Sequence, residues 1–122
     1  MGKIIELKTF ADQRGALTVL EKELPFQPKR IYYIYNCNSE PRGGHRHKKT
    51  TQVLICVAGQ CDIYWTNGKT EETVTLDRPN KGLIVYPEDW HTMSGFSPNA
   101  ILLVIASELF DPDDYVDEGY EK

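Results

Sequence analysis

No apolar run in this chain exceeds the length of a β-strand. The longest, "VLICVA" (53–58) and "AILLVIA" (100–106), fall far short of the ~20 residues that carry a helix across a bilayer, so no membrane partner is expected. There is no basic surplus either. Lys and Arg number 14 against 18 Asp and Glu, for a net charge of −4. Without a basic stripe to displace counterions from phosphates, nucleic acid is not an expected partner, although a local cluster can still hold a small anion. Cysteine is scarce: Cys37, Cys56 and Cys61 are odd in number and form no C-x-x-C pair. They read as small buried hydrophobes with reduced thiols, as in a cytoplasmic protein. The opening "MGKIIE" lacks a charged-then-apolar leader and has Glu6 where a myristoylation signal wants Ser or Thr. G-x-S-x-G, G-x-x-x-x-G-K-[ST] and G-x-G-x-x-G are all absent, which argues against a serine-hydrolase elbow, a P-loop and a dinucleotide fold.

What the chain has is short strand-like runs with turn residues between them. "ALTVLE" (16–21), "RIYYIYN" (30–36), "QVLICVAG" (52–59), "GLIVYP" (82–87) and "AILLVIAS" (100–107) recur around a hairpin signal, Asn67-Gly68, inside "CDIYWTNGKTEETVTL". That spacing, with no long helical period, predicts an all-β sandwich or barrel. The 122 residues suit a single domain, expected as a β-barrel over 1–107 and an acidic C-terminal helix or tail over 108–122. In the tail, Asp111 as N-cap and Pro112 at the first helical position predict a short, solvated helix.

Two of the three histidines lie one residue apart in "PRGGHRHKKTTQ" (41–52). If 43–49 is extended, His45, His47 and Lys49 share one face, and Gly44, Arg46 and Lys48 the other. Gly43 and Gly44 leave room for a ligand or another backbone to come close. Neighbouring imidazoles in a cleft suit either a metal or proton transfer near neutral pH. His45-x-His47, four residues, Gln52, six residues, Gly59 is similar to the first motif of the cupin superfamily, and Gly82, Pro87 and His91 echo the second. Gln52 stands where metal-binding cupins have a glutamate, and a neutral amide is a poor transition-metal ligand. A three-histidine site of His45, His47 and His91 nevertheless stays chemically open.

The resemblance narrows further. "KRIYYIYN", "EPRGGHRHKKTTQVLICVAGQC", "LDRPNKGLIVYPEDWH" and "VIASELFDPDDY" resemble the sugar-nucleotide 3,4-ketoisomerases, from "DQRGAL" to the acidic tail. This resemblance implies a cupin jelly-roll β-barrel acting as a homodimer, without cofactor or metal, on a dTDP-sugar. The implied reaction carries the keto group of dTDP-4-keto-6-deoxyglucose from C4 to C3. It also implies that His45 is the proton-abstracting base and His47 the second active-site histidine, with Tyr32 and Arg42 near the substrate.

From the residues themselves, Arg30 and Tyr32 share a strand face compatible with a site lining, while Tyr33 and Tyr35 read as core or dimer surface. Arg14, Arg42, Arg46 and Lys48 are candidates for the diphosphate, arginine being the better forked donor. Trp90 is a candidate for stacking on a base or sugar, and Gln52 and His91 complete the expected substrate contacts. Arg46 departs from the small residue expected between the histidines, and alternation points it away from their face. Two readings stand beside the isomerase: a metal-dependent cupin enzyme using His45, His47 and His91, and a non-catalytic cupin that only binds a nucleotide sugar.

Overall fold

The computed structural model describes residues 1–120; the last two residues of the expected tail, 121 and 122, lie outside the described residues. The fold is built from twelve strands: β1 (Lys3–Glu6), β2 (Lys8–Asp12), β3 (Gly15–Val19), β4 (Arg30–Ile34), β5 (Arg42–His47), β6 (Gln52–Ala58), β7 (Cys61–Thr66), β8 (Glu71–Leu76), β9 (Lys81–Val85), β10 (Trp90–Ser94), β11 (Ile101–Ala106) and β12 (Tyr115–Val116). Two five-stranded sheets carry the domain, ordered β1-β9-β6-β11-β4 and β12-β5-β10-β7-β8, and among the described residues β2 pairs with β3 alone. The class is all-β, as expected. The layers form a sandwich, however, and the pairing does not close them into a barrel.

The continuous apolar runs follow from burial on both faces of the first sheet. Along β6, Leu54 and Cys56 face the inter-sheet core with Leu83, Leu102 and Val104 of the same sheet and Ile63, Trp65, Leu76 and Met93 of the other. Val53 and Ile55 face outward, under Leu7, Leu24 and Phe26. The second sheet shows the alternation of a half-buried layer: β7 alternates buried and half-buried residues along its length. At the β7–β8 hairpin, Gly68 alone takes a positive φ, of 90°. Asn67 contributes instead through its side chain, whose oxygen accepts the amides of Lys69 (2.9 Å) and Thr70 (2.8 Å).

The C-terminal segment is the main departure from expectation. Asp111 does cap a turn over Pro112–Asp114, but that turn is a single 3-10 turn. At Tyr115 the backbone becomes extended and joins the second sheet, with Tyr115 opposite His47 and Val116 opposite Arg46. Pairing to the open edge of β5 wins over helix continuation because it satisfies backbone groups that a short acidic helix leaves to water. The tail is not a solvated helix; it covers a sheet edge.

Candidate active site

The site begins with an irregularity in β5. Its partner β10 aligns His91 with His45 but Thr92 with Gly43, so Gly44 is an extra residue opposite the His91–Thr92 step. This is a β-bulge, and both glycines carry it at positive φ, 84° at Gly43 and 80° at Gly44. A Cβ on Gly43 would stand 2.9 Å from the His91 carbonyl oxygen, so the backbones meet there as closely as they can. Strict alternation would put Arg42 and His45 on opposite faces. The extra residue turns them to the same side, and both line one pocket. Strand β5 then ends at His47, so Lys49 does not continue the histidine face as expected.

That pocket, about 450 Å³, is lined by Arg30, Tyr32 and Ile34 from β4, Arg42, Gly43 and His45 from β5, Met93 from β10 and Tyr115 from the tail, with Tyr33 and Tyr35 at its rim. Its size lies within the range of small-molecule sites. The β4 contribution follows from period-2 alternation, which buries Arg30, Tyr32 and Ile34 partly and leaves Ile31 and Tyr33 exposed. The Arg30 guanidinium lies 4.4 Å from the Tyr32 ring centroid. Gln52, buried at the start of β6, donates its side-chain amide to the Tyr32 hydroxyl at 3.1 Å. Burial is the main cause that raises the Tyr32 pKa, keeping it a phenol with a proton to give.

Behind His45 the imidazoles form a cluster. His45 lies edge-on to His47 (5.1 Å between centroids) and to His91 (5.2 Å), and Tyr115 packs on His45 at 4.8 Å and on His47 at 4.6 Å. His91 is fully buried, and its Nδ1–H donates to the Asp89 carbonyl at 3.2 Å. Burial, aided by the facing His45, pushes its pKa down to about 3. His45 and His47 are lowered too, chiefly by burial, offset at His45 by the Gly43 backbone and at His47 by Asp114. All three are neutral at pH 7 and able to accept a proton.

The structure brings His45, Tyr32, Arg42 and Arg30 to the pocket and sets His47, His91 and Gln52 directly behind its wall. It does not bring Arg46, Lys48 or Trp90 there, although all three were expected among the substrate contacts. Arg46 points outward by alternation, its guanidinium 4.8 Å from the Tyr120 ring centroid. Lys48 is exposed just past the strand, and the Trp90 indole N–H donates to the Asp117 carbonyl at 3.1 Å. Arg14 sits at the tip of the β2–β3 hairpin, paired with Asp12 at 2.6 Å.

Two residues of the site fall inside the family-like stretch "VIASELFDPDDY", but nothing in the sequence marks them as site residues. Tyr115 and Asp114 lie in an acidic stretch whose composition suggests only solvation. Among the described residues, no group of three or more His, Cys, Asp or Glu side chains converges as a metal site would require. Nor, among them, is any helix long and apolar enough to cross a membrane.

Comparison with known proteins identifies the family. A curated relative, TDP-4-oxo-6-deoxy-alpha-D-glucose-3,4-oxoisomerase of Aneurinibacillus thermoaerophilus, is 43% identical over 117 residues, covering 93% of this chain and 84% of its own. Among solved structures, the WlaRB TDP-quinovose 3,4-ketoisomerase of Campylobacter jejuni superposes with a TM-score of 0.91 at 43% identity, covering 96% of this chain and 92% of that one. A histidine-to-asparagine variant of the 3,4-ketoisomerase QdtA from Thermoanaerobacterium thermosaccharolyticum, in complex with TDP-4-keto-6-deoxyglucose, gives 0.91 at 38% identity over 96% of this chain and 87% of that one. The family model described as "FdtA: WxcM-like, C-terminal" matches residues 1–121, and the chain belongs to this cupin family, as a relative of sugar-nucleotide 3,4-ketoisomerases.

Proposed function

We propose that this protein isomerises TDP-4-keto-6-deoxyglucose to the corresponding 3-keto sugar by acid–base catalysis through an enediol or enediolate. The observation that carries this reading is the pocket lined together by the imidazole of His45, the phenol of Tyr32 and the guanidinium groups of Arg30 and Arg42. Keto migration between adjacent carbons is redox-neutral, so the reaction needs no electron carrier. A base removes the proton at C3, and the negative charge passes to the C4 oxygen, which takes a proton to give the enediol. The C3 hydroxyl then gives up its proton to form the C3 carbonyl, and the electron pair of the C3–C4 double bond takes a proton at C4. His45, held unprotonated at neutral pH by burial, is the base; such catalysis is worth about 10²–10⁴ in rate. Tyr32, kept protonated and steadied by Gln52, donates to the oxygen that gains charge. Arg42 and Arg30 add fixed positive charge for that oxygen or for the diphosphate, worth a few kcal/mol where water is excluded. His47 and His91 back the base. Among the described residues no converging ligand set supports the metal-dependent reading, and a purely binding role leaves a neutral imidazole and a phenol in one pocket without a purpose.

The working unit is a homodimer in this reading. The β2–β3 hairpin packs no apolar face against the domain: Phe10 and Leu17, directly opposite each other, are 63% and 61% exposed. An isolated two-stranded hairpin is marginal in water, so a second copy is the natural cover. Ile31 and Tyr33 of β4, and Tyr35 just past its end, likewise stand exposed at a sheet edge. The three free thiols suit a reducing compartment, the cytoplasm. The test is incubation of the purified protein with TDP-4-keto-6-deoxyglucose in deuterated water. Deuterium at C3 of recovered substrate and at C4 of the 3-keto sugar formed is expected, with His45→Asn silent; neither exchange nor 3-keto product above that variant overturns the reading. Sedimentation at micromolar concentration decides the dimer.

A further inference from the structure

His47 is held unlike the other two imidazoles. Its Nδ1 lies 2.8 Å from Asp114 Oδ2, and both side chains are 2% exposed. The carboxylate is saturated with donors: the amides of Lys48 (3.1 Å) and Lys49 (2.8 Å) reach Oδ1, and the Thr50 hydroxyl shares Oδ2 with His47. An ionised carboxylate only accepts. Burial pulls the Asp114 pKa upward, but the bonds from Thr50, the Lys49 amide and His47 outweigh it and leave the carboxyl below its usual range. The shared proton therefore resides on His47 Nδ1, and the other ring nitrogen, Nε2, is a buried lone pair with no hydrogen-bond partner among the described residues.

We propose that Asp114, delivered by the acidic C-terminal segment, is a positioning residue of the active site, fixing His47 in the Nδ1–H tautomer and so giving the histidine cluster an acceptor nitrogen at Nε2. The segment is built to hold that contact. Asp114 also accepts the Lys48 amide through its main-chain carbonyl at 2.9 Å. The next residue, Tyr115, pairs with His47 across the strands and packs on the rings of both His45 and His47. Further along, the Tyr120 hydroxyl donates to the Glu88 carbonyl at 2.7 Å. One carboxylate thus ties the tail to the turn after β5 and sets which nitrogen His47 offers.

Nitrogen-resolved NMR of the imidazoles tests this. Wild-type protein is expected to show His47 protonated at Nδ1. In Asp114→Asn the amide oxygen still accepts the Lys48 and Lys49 N–H groups while the NH2 faces His47, so the proton is expected to move to Nε2. Asp114→Asn should then lose kcat by at least about a hundredfold with little change in KM. Tyr120→Phe, which loosens the tail at its far end, should keep both the tautomer and kcat. An Nε2–H tautomer in the wild type, an unchanged tautomer in Asp114→Asn, or equal losses in the two variants would each overturn the proposal. The kinetic arm rests on the isomerase reading. The nitrogen arm needs no substrate, so the two fail separately, and the wild-type spectrum decides even if Asp114→Asn does not fold.

Discussion

Acid should weaken this fold most through one of its three histidine rings. His91 is completely buried, with a pKa pushed from the ordinary 6.5 to about 3 by desolvation and the facing His45. The unfolded chain takes up a proton at His91 near 6.5 that the folded state refuses until about 3. Unfolding therefore gains a proton as pH falls through that window, and stability is full above it and lost on the way down. Each pH unit within the window removes about 1.4 kcal/mol. Between about pH 7 and about pH 5 the loss from His91 alone is on the order of 2 kcal/mol, a sizeable share of the ~5–15 kcal/mol of a typical domain. Urea unfolding followed by tryptophan fluorescence at both pH values measures it. His91→Gln, which cannot titrate, should be less stable than wild type at neutral pH yet lose about 2 kcal/mol less on acidification. Equal acid losses in the two proteins would refute the claim that His91 is held neutral by burial.

Two further outcomes follow from the geometry of β5. Gly43→Ala sets a side chain against the His91 carbonyl at a φ of 84°; a loss of about 2 kcal/mol or more in urea unfolding is expected, with activity falling as the bulge shifts. Arg46→Ala removes a group that faces Tyr120 and not the pocket; kcat/KM on the 4-keto sugar should stay within about threefold of wild type, where a diphosphate ligand would cost tenfold or more.

The strands that could be read from the sequence are those with a strong apolar code. Residues 52–59 and 100–107 are apolar almost throughout because β6 and β11 are covered on both faces. Strand β2 left no trace because all five of its residues are exposed and nothing imposes a period. The histidine face and the Arg30–Tyr32 lining followed from alternation, since β4 and the end of β5 keep it. Alternation also pointed Arg46 outward, against its candidacy for the diphosphate. The bulge was not legible: "RGGH" signals room for close approach, but the register that makes Gly44 the extra residue is set by β10. Asp114 was hidden for a related reason. Its value comes from two successive amides, a hydroxyl and an imidazole more than sixty positions away, and the acids around it look alike in one dimension.

The extra glycine also dictates how this stretch can change over time or in the laboratory. Because Arg42 and His45 reach one pocket only by virtue of an added step between them, shortening the segment by one residue would swing the guanidinium away from the imidazole, whatever the side chains. Libraries aimed at new sugars should vary identities around 42–47 and leave its length untouched.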